Sequence, residues 1–119
     1  MADFIDWTGK SGSQYRYWFL ADTSASGIQD QAGNYMFVKL TKSGWLPVYI
    51  GLATSLKSRI PTHEVWADAI RNGATRVMAH TQPNEALRDA EEVDLIGFWN
   101  PVCNTQHRSS PLASIGAWR

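Results

Sequence analysis

Cysteine is nearly absent: Cys103 is the only one in 119 residues. One thiol excludes an internal disulfide, and a reducing cytoplasm is the simplest setting for it. Long apolar runs are absent too, so no stretch reaches the ~18 residues of a membrane-spanning helix. The opening MADFIDWTGK has neither the basic start nor the apolar stretch of a secretory signal. His63, His80 and His107 have no zinc-ligand spacing, and no Walker-type glycine-rich loop occurs. Acids are missing from Gln31 to His63, a stretch whose charges are Lys39, Lys42, Lys57 and Arg59. Glu85, Asp89, Glu91, Glu92 and Asp94 then gather around one Arg88. The formal net charge of zero therefore averages a basic surface with an acidic helix, and bulk charge gives no nucleic-acid signal.

What is present fits one domain with a modest core. QYRYWFLA, residues 14–21, reads as an aromatic strand, followed by a polar loop over 22–33. NYMFVKL, residues 34–40, is apolar on both faces and reads as a central strand. After the turn TKSGW comes PVYIGL, residues 47–52, paired with it as a hairpin with a loop longer than the tightest class. Thr54 is positioned to cap a short helix through Ile60, and Pro61 breaks it. Thr62 is positioned to cap a second helix over 63–72, with a stripe of Val65, Trp66, Ala69 and Ile70, stopped by Gly73. ATRVMAH, residues 74–80, is a fourth strand. The longest helix runs over 84–99 and is expected to bury Ala86, Ala90, Val93 and Ile96 before Asn100-Pro101 ends it. The fold class is α+β: a small, mostly antiparallel β-sheet flanked by α-helices.

Several side chains invite chemistry. Period-two alternation puts Tyr35, Phe37 and Lys39 on one side of their strand. In the next strand Val48 and Ile50 point one way, Tyr49 and Gly51 the other. If the register aligns Tyr35 with Tyr49, two phenols meet beside a glycine that leaves open space. Buried hydroxyls need partners, so the pair either rims the sheet in water or belongs to a site. Arg59, one helix after Tyr49, is either a solvated helix arginine or a planar fork for a phosphate. Glu92 lies one turn from Arg88 and from Leu95-Ile96, nearer the packed face than Glu91 or Glu85. A carboxylate there has a partner or holds a cation. Cys103 reads as packing.

Taken in order, these pieces resemble the GIY-YIG nuclease family. Gly33-Asn34-Tyr35 and Tyr49-Ile50-Gly51 stand as the two name motifs. Arg59 follows ten residues past the second tyrosine, then come Glu92, Leu95-Ile96, Pro101 and Asn104, so that the likeness spans residues 33–104. Asn34 replaces the usual apolar middle residue, and the spacer between the motifs is slightly long. His63 is similar to a histidine of the restriction-enzyme branch.

The resemblance implies phosphodiester hydrolysis in DNA with one divalent cation, Mg2+ or Mn2+. It implies that Tyr35 takes a proton from water, Tyr49 supports it, Arg59 binds the scissile phosphate, Glu92 holds the metal and Asn104 buttresses the site. Lys39, Lys42 and Lys57 would lie along the DNA backbone, with steep salt dependence. Trp45 in the hairpin loop would stack on an unpaired base. A tyrosine nucleophile, or a catalytically inactive nucleic-acid-binding module of the same fold, are the other readings. The expected organisation is one domain: a 1–32 extension with one strand, a 33–104 core and a 105–119 tail. No recognition motif stands outside the core. Low sequence specificity, recognition of DNA structure, or targeting by a protein partner or homodimer is therefore expected, in repair or restriction.

Overall fold

The computed structural model describes residues 3–21, 27–62 and 64–104. Phe4–Thr8 forms β1 and Gln14–Phe19 forms β2. The sequence pattern announces only the second, so the segment before the core contributes two strands. β1 is five residues with Asp6 at its centre, held by antiparallel pairing from Phe4↔Trp18 to Thr8↔Gln14. Gly12, at φ +92°, turns the chain between them.

Gly33–Thr41 forms β3, Gly44–Ala53 β4 and Arg76–Thr81 β5. All pairs are antiparallel and the spatial order is β1-β2-β5-β3-β4. β3 is central, as its two-sided apolar pattern requires, and Gly33 through Val38 are all buried. The β3–β4 hairpin differs from expectation. Thr41 pairs with Gly44, so the loop is the two residues Lys42-Ser43. Gly44 adopts φ +119°, and the Thr41 hydroxyl donates to the Gly44 carbonyl at 2.7 Å. A side-chain hydrogen bond thus supports a tight turn that lacks the usual Asn-Gly signal.

A bulge also changes one side-chain assignment. Phe37 opposes Tyr49 while Val38 opposes Pro47, leaving Val48 as the extra residue. Val48 therefore packs on the side of Tyr49, not of Ile50.

Helix α1 spans Leu56–Arg59 and continues as a 3-10 turn over Ile60–Thr62. Its cap is Ser55, not Thr54: the Ser55 hydroxyl accepts from Ser58 N at 3.2 Å. Helix α2 spans only Trp66–Arg71, so its cap position is Val65 and not the expected residue 62, and Val65 makes no side-chain cap bond. Val65 and Ala69 are buried, whereas Ile70 is exposed. Gly73, at φ +98°, ends the turn as expected.

Helix α3 spans Glu85–Trp99. Asn84 caps its start by accepting from Leu87 N, and Asn100 ends it in the left-handed region. The buried face is Arg88, Glu91, Glu92, Leu95 and Ile96. Of the expected stripe only Ile96 is buried; Ala86, Ala90 and Val93 are exposed. Hydrophobicity alone mislocates this face because the helix buries charged groups that have partners. Arg88 Nη1 donates to the Gln82 carbonyl at 2.8 Å. Tyr17 donates to Glu91 Oε2 at 2.5 Å. His80 Nε2 stands 2.6 Å from the same oxygen without hydrogen-bond alignment. Asn34, fully buried, donates to the Arg88 carbonyl at 3.1 Å, which fastens β3 to α3 in place of an apolar contact.

The result is three layers. Tyr35, Phe37, Val48, Leu56, Ile60, Val65, Ala69 and Val77 form the core under α1 and α2. Trp7, Tyr17, Met36, Val38, Ile50, Met78, Leu95 and Ile96 form the core under α3. Among the described residues no helix is long and apolar enough to cross a membrane. The tail over 105–119 lies outside the described residues.

Candidate active site

The register of β3 and β4 creates the site. Tyr35 opposes Gly51, and Phe37 opposes Tyr49. Directly opposed residues share a face, so the two phenols stand diagonally with ring centroids 6.3 Å apart. Phe37 packs against both, at 5.7 Å from each. Gly51 is required by space: a Cβ there would stand 2.7 Å from the Tyr35 hydroxyl and 3.0 Å from the Tyr49 ring.

Arg59 reaches this pair from the end of α1. A hydrogen bond and the positive charge of its guanidinium both act on Tyr35, and its charge acts on Tyr49. The same fork binds Glu64, Nη1 to Oε2 at 2.8 Å and Nη2 to Oε1 at 3.0 Å. Glu64 is the first acid after the acid-free run, which is the one sequence signal for its role.

Glu92 comes from α3 and is buried. Its negative charge acts on both phenols. Burial is the largest effect on each. It pushes Tyr35 far above the ordinary tyrosine range, helped by Tyr49 and opposed by Arg59. Tyr49 is pushed up to about 12, by burial first and Glu92 second. Both are therefore neutral phenols at physiological pH, with Tyr49 the easier to ionise. The Arg59 guanidinium and the Glu92 carboxylate thus each act electrostatically on both phenols, Arg59 from α1 on their own face of the sheet and Glu92 from α3, which packs on the other face.

Asn104 completes the arrangement from beneath. Its side-chain oxygen accepts from Ile50 N at 2.8 Å, and its amide nitrogen donates to the Ile50 carbonyl at 2.8 Å. This two-way bond caps the open edge of β4 between Tyr49 and Gly51.

The remaining sequence candidates fall elsewhere. The Lys39 stem lies against Gly73, with its Cδ 3.2 Å from where a Cβ would be. Lys42 is exposed in the hairpin turn, and Lys57 is exposed on α1. Trp45 is half-buried on the α3 side of the sheet, 5.2 Å from the Phe19 ring. It therefore faces away from the phenols and does not present a stacking surface beside them. His63 lies outside the described residues. Glu91, expected farther from the packed face than Glu92, is as buried as Glu92.

Among the described residues no group of three or more His, Cys, Asp or Glu side chains is assembled to hold a metal. One buried carboxylate nevertheless fits a magnesium-type ion, which commonly takes one or two carboxylates and completes its shell with water and phosphate oxygens.

The geometry defines a class: an α+β domain with an antiparallel sheet, helices on both faces, and two phenols beside Gly51 on which a guanidinium and a buried carboxylate act by charge. Its fold is that of the GIY-YIG nuclease domains. The GIY-YIG N-terminal endonuclease domain of UvrC from Thermotoga maritima, bound to magnesium, is similar at 25% identity and TM-score 0.53, over 65% of this chain and 86% of that one. A point variant of that domain bound to its catalytic divalent cation matches at 26% identity and TM-score 0.51, with the same coverage. Sequence comparison matches no family model and no curated protein.

Proposed function

We propose that the protein is a metal-dependent endonuclease that hydrolyses DNA phosphodiester bonds, with residues 33–104 as its catalytic core. The observation that carries this reading is the pairing of Tyr35 and Tyr49 on one sheet face over Gly51, with ring centroids 6.3 Å apart, within reach of the Arg59 and Glu92 charges. Each phenol feels both the guanidinium and the carboxylate.

Arg59 supplies a planar pair of donors for the non-bridging oxygens of the scissile phosphate, where charge builds up during attack. Glu92 is the residue that would hold Mg2+ or Mn2+. When bound, the ion supplies charge neutralisation at the phosphoryl and leaving-group oxygens. Tyr35 stands between Arg59 and Tyr49 as acceptor from one and donor to the other. Once Tyr49 has lost its proton to solvent, Tyr35 can take a proton from water while passing its own to the Tyr49 phenolate, so that the phenolate is the net base. Cancelling the Glu92 charge removes the leading charge effect that holds the proton on Tyr49. Asn104 keeps β4, and with it Tyr49, in place. Lys42 and Lys57, both exposed, are suited to the flanking phosphates, and His63 is proposed as an accessory proton carrier.

The test is plasmid nicking with Mg2+ or Mn2+. Cleavage by the native chain that disappears in Glu92→Ala and Tyr35→Phe supports the enzyme. Intact plasmid across both metals and pH 6–10 leaves only a DNA-binding module. A protein–DNA adduct on denaturing gels would instead make a tyrosine the nucleophile.

A further inference from the structure

Helices α1 and α2 cover only part of the sheet face that carries Tyr35. The register continues the row of Tyr35 across the whole sheet: Gly51, Tyr35, Ala79, Trp18 and Phe4 are successive cross-strand partners. Directly opposed residues share a face, so Trp18 and Phe4 lie on the same side as Tyr35. Among the described residues no helix beyond Leu56 covers them, and Trp18 is 47% exposed. Nothing in the core requires a tryptophan there.

The surroundings of Trp18 are built. Its ring stands 4.9 Å from the Phe4 ring. The Arg16 guanidinium lies 3.9 Å over the Phe4 ring and is held by Asp6 through Nε at 2.8 Å and Nη2 at 3.1 Å. Beside this platform is a half-open hollow of about 500 Å³, whose walls include Trp18, Leu20, Ile28, Leu56 and Ala79, with Gln29 and Thr81 as polar groups at hand. Aromatic and aliphatic walls with a few hydrogen-bonding groups suit a flat, amphipathic ring.

We propose that this hollow is a second binding site, for an unstacked nucleobase of the DNA substrate, with Trp18 as its stacking surface. The proposal rests on the nuclease reading and names the kind of DNA it prefers: flaps, single strands and other DNA with an unpaired base. Spacing supports it. Trp18 lies two strand separations from Tyr35, about 10 Å. At roughly 3.4 Å per nucleotide along one strand, a base there is about three nucleotides from a phosphate at the Tyr35 row. Base–aromatic stacking tolerates any base sequence, so the site would hold an unpaired base without reading its identity.

The test measures binding apart from cleavage. Affinities for a flap oligonucleotide and for a blunt duplex of equal length are compared without added metal, for the native chain, Trp18→Ala and Trp18→Phe. The native chain should prefer the flap. Trp18→Ala should lose about tenfold of that preference, and Trp18→Phe should retain most of it. An unchanged preference in Trp18→Ala, at an unchanged melting temperature, would overturn the site. So would a native dimer that Trp18→Ala converts to monomer, because a second copy would then cover the face. A lost preference in a protein that never nicks DNA keeps the site and removes the nuclease reading; nicking with no effect of Trp18 does the reverse.

Discussion

Arg59 gives its guanidinium fork to Glu64, at 2.8 and 3.0 Å, in the position where the proposed reaction needs a phosphate. The Glu64 side chain is 69% exposed, so the pair sits at the rim, where such contacts contribute only ~0.2–1 kcal/mol. A DNA phosphate can displace Glu64, and the carboxylate acts as a weak competitor that also repels the backbone. Glu64→Gln should therefore tighten DNA binding about three- to fivefold, more at low salt. Fluorescence anisotropy with a labelled duplex, in a Glu92→Ala background to prevent cleavage, measures it. Equal or weaker binding would show that Glu64 instead orients Arg59.

The two phenols make the pH dependence specific. A phenol acts as a base only in its ionised form, and below its pKa that fraction rises tenfold per pH unit. With Tyr49 at about 12 and Tyr35 higher still, kcat should climb from pH 7 to pH 10 at saturating cation. Stability runs the other way. The folded state holds these protons more tightly than the unfolded chain, so the stabilisation is complete below the ordinary tyrosine value of 10.0 and is lost as pH rises toward the folded values. Rates should accordingly be read below pH 10. Tyr35→Phe should lower kcat by about 10²–10⁴. A flat native profile from pH 7 to pH 9 would remove both phenols from the proton path.

Asn104 supports β4 through a single backbone residue. Asn104→Ala leaves the Ile50 N–H and carbonyl at a buried edge without their partners, at a cost of about 1–3 kcal/mol. Tyr49 lies next to Ile50, so the loss should lower kcat as well as the melting temperature. Asn104→Asp should recover only the acceptor half of the contact. Thermal melts with single-turnover rates separate the two effects; a variant with native stability and native rate would show that the β4 edge needs no cap.

The central strand and both name motifs were legible because β3 is buried on both faces and its alternation with β4 survives up to Tyr49. The bulge at Val48 was not, since a bulge is set by pairing and not by pattern. The α3 face was hidden for a different reason. Its buried positions carry Arg88, Glu91 and Glu92, and only tertiary partners such as Tyr17 and His80 make their burial tolerable. Trp45 and Trp18 could not be ranked from the sequence. Which tryptophan is exposed depends on where the helices stop over the sheet.

Gly51 is the position where a single methyl group tests the site. A Cβ would stand 2.7 Å from both Cζ and the hydroxyl of Tyr35, a side chain only 1% exposed and packed on Phe37. Tyr35 has no solvent to retreat into, so Gly51→Ala forces either the phenol or β4 to move. Overpacking of this kind costs ~1–3 kcal/mol. The melting temperature should fall by about 5 °C per kcal/mol in a domain of this size. Because the displaced atom is the hydroxyl that links Arg59 to Tyr49, kcat should fall further than stability alone explains, with KM little changed. Adding Tyr35→Leu should restore the melting temperature without restoring cleavage. If Gly51→Ala alone keeps both stability and rate, the phenols are not locked together and the proton path between them is wrong.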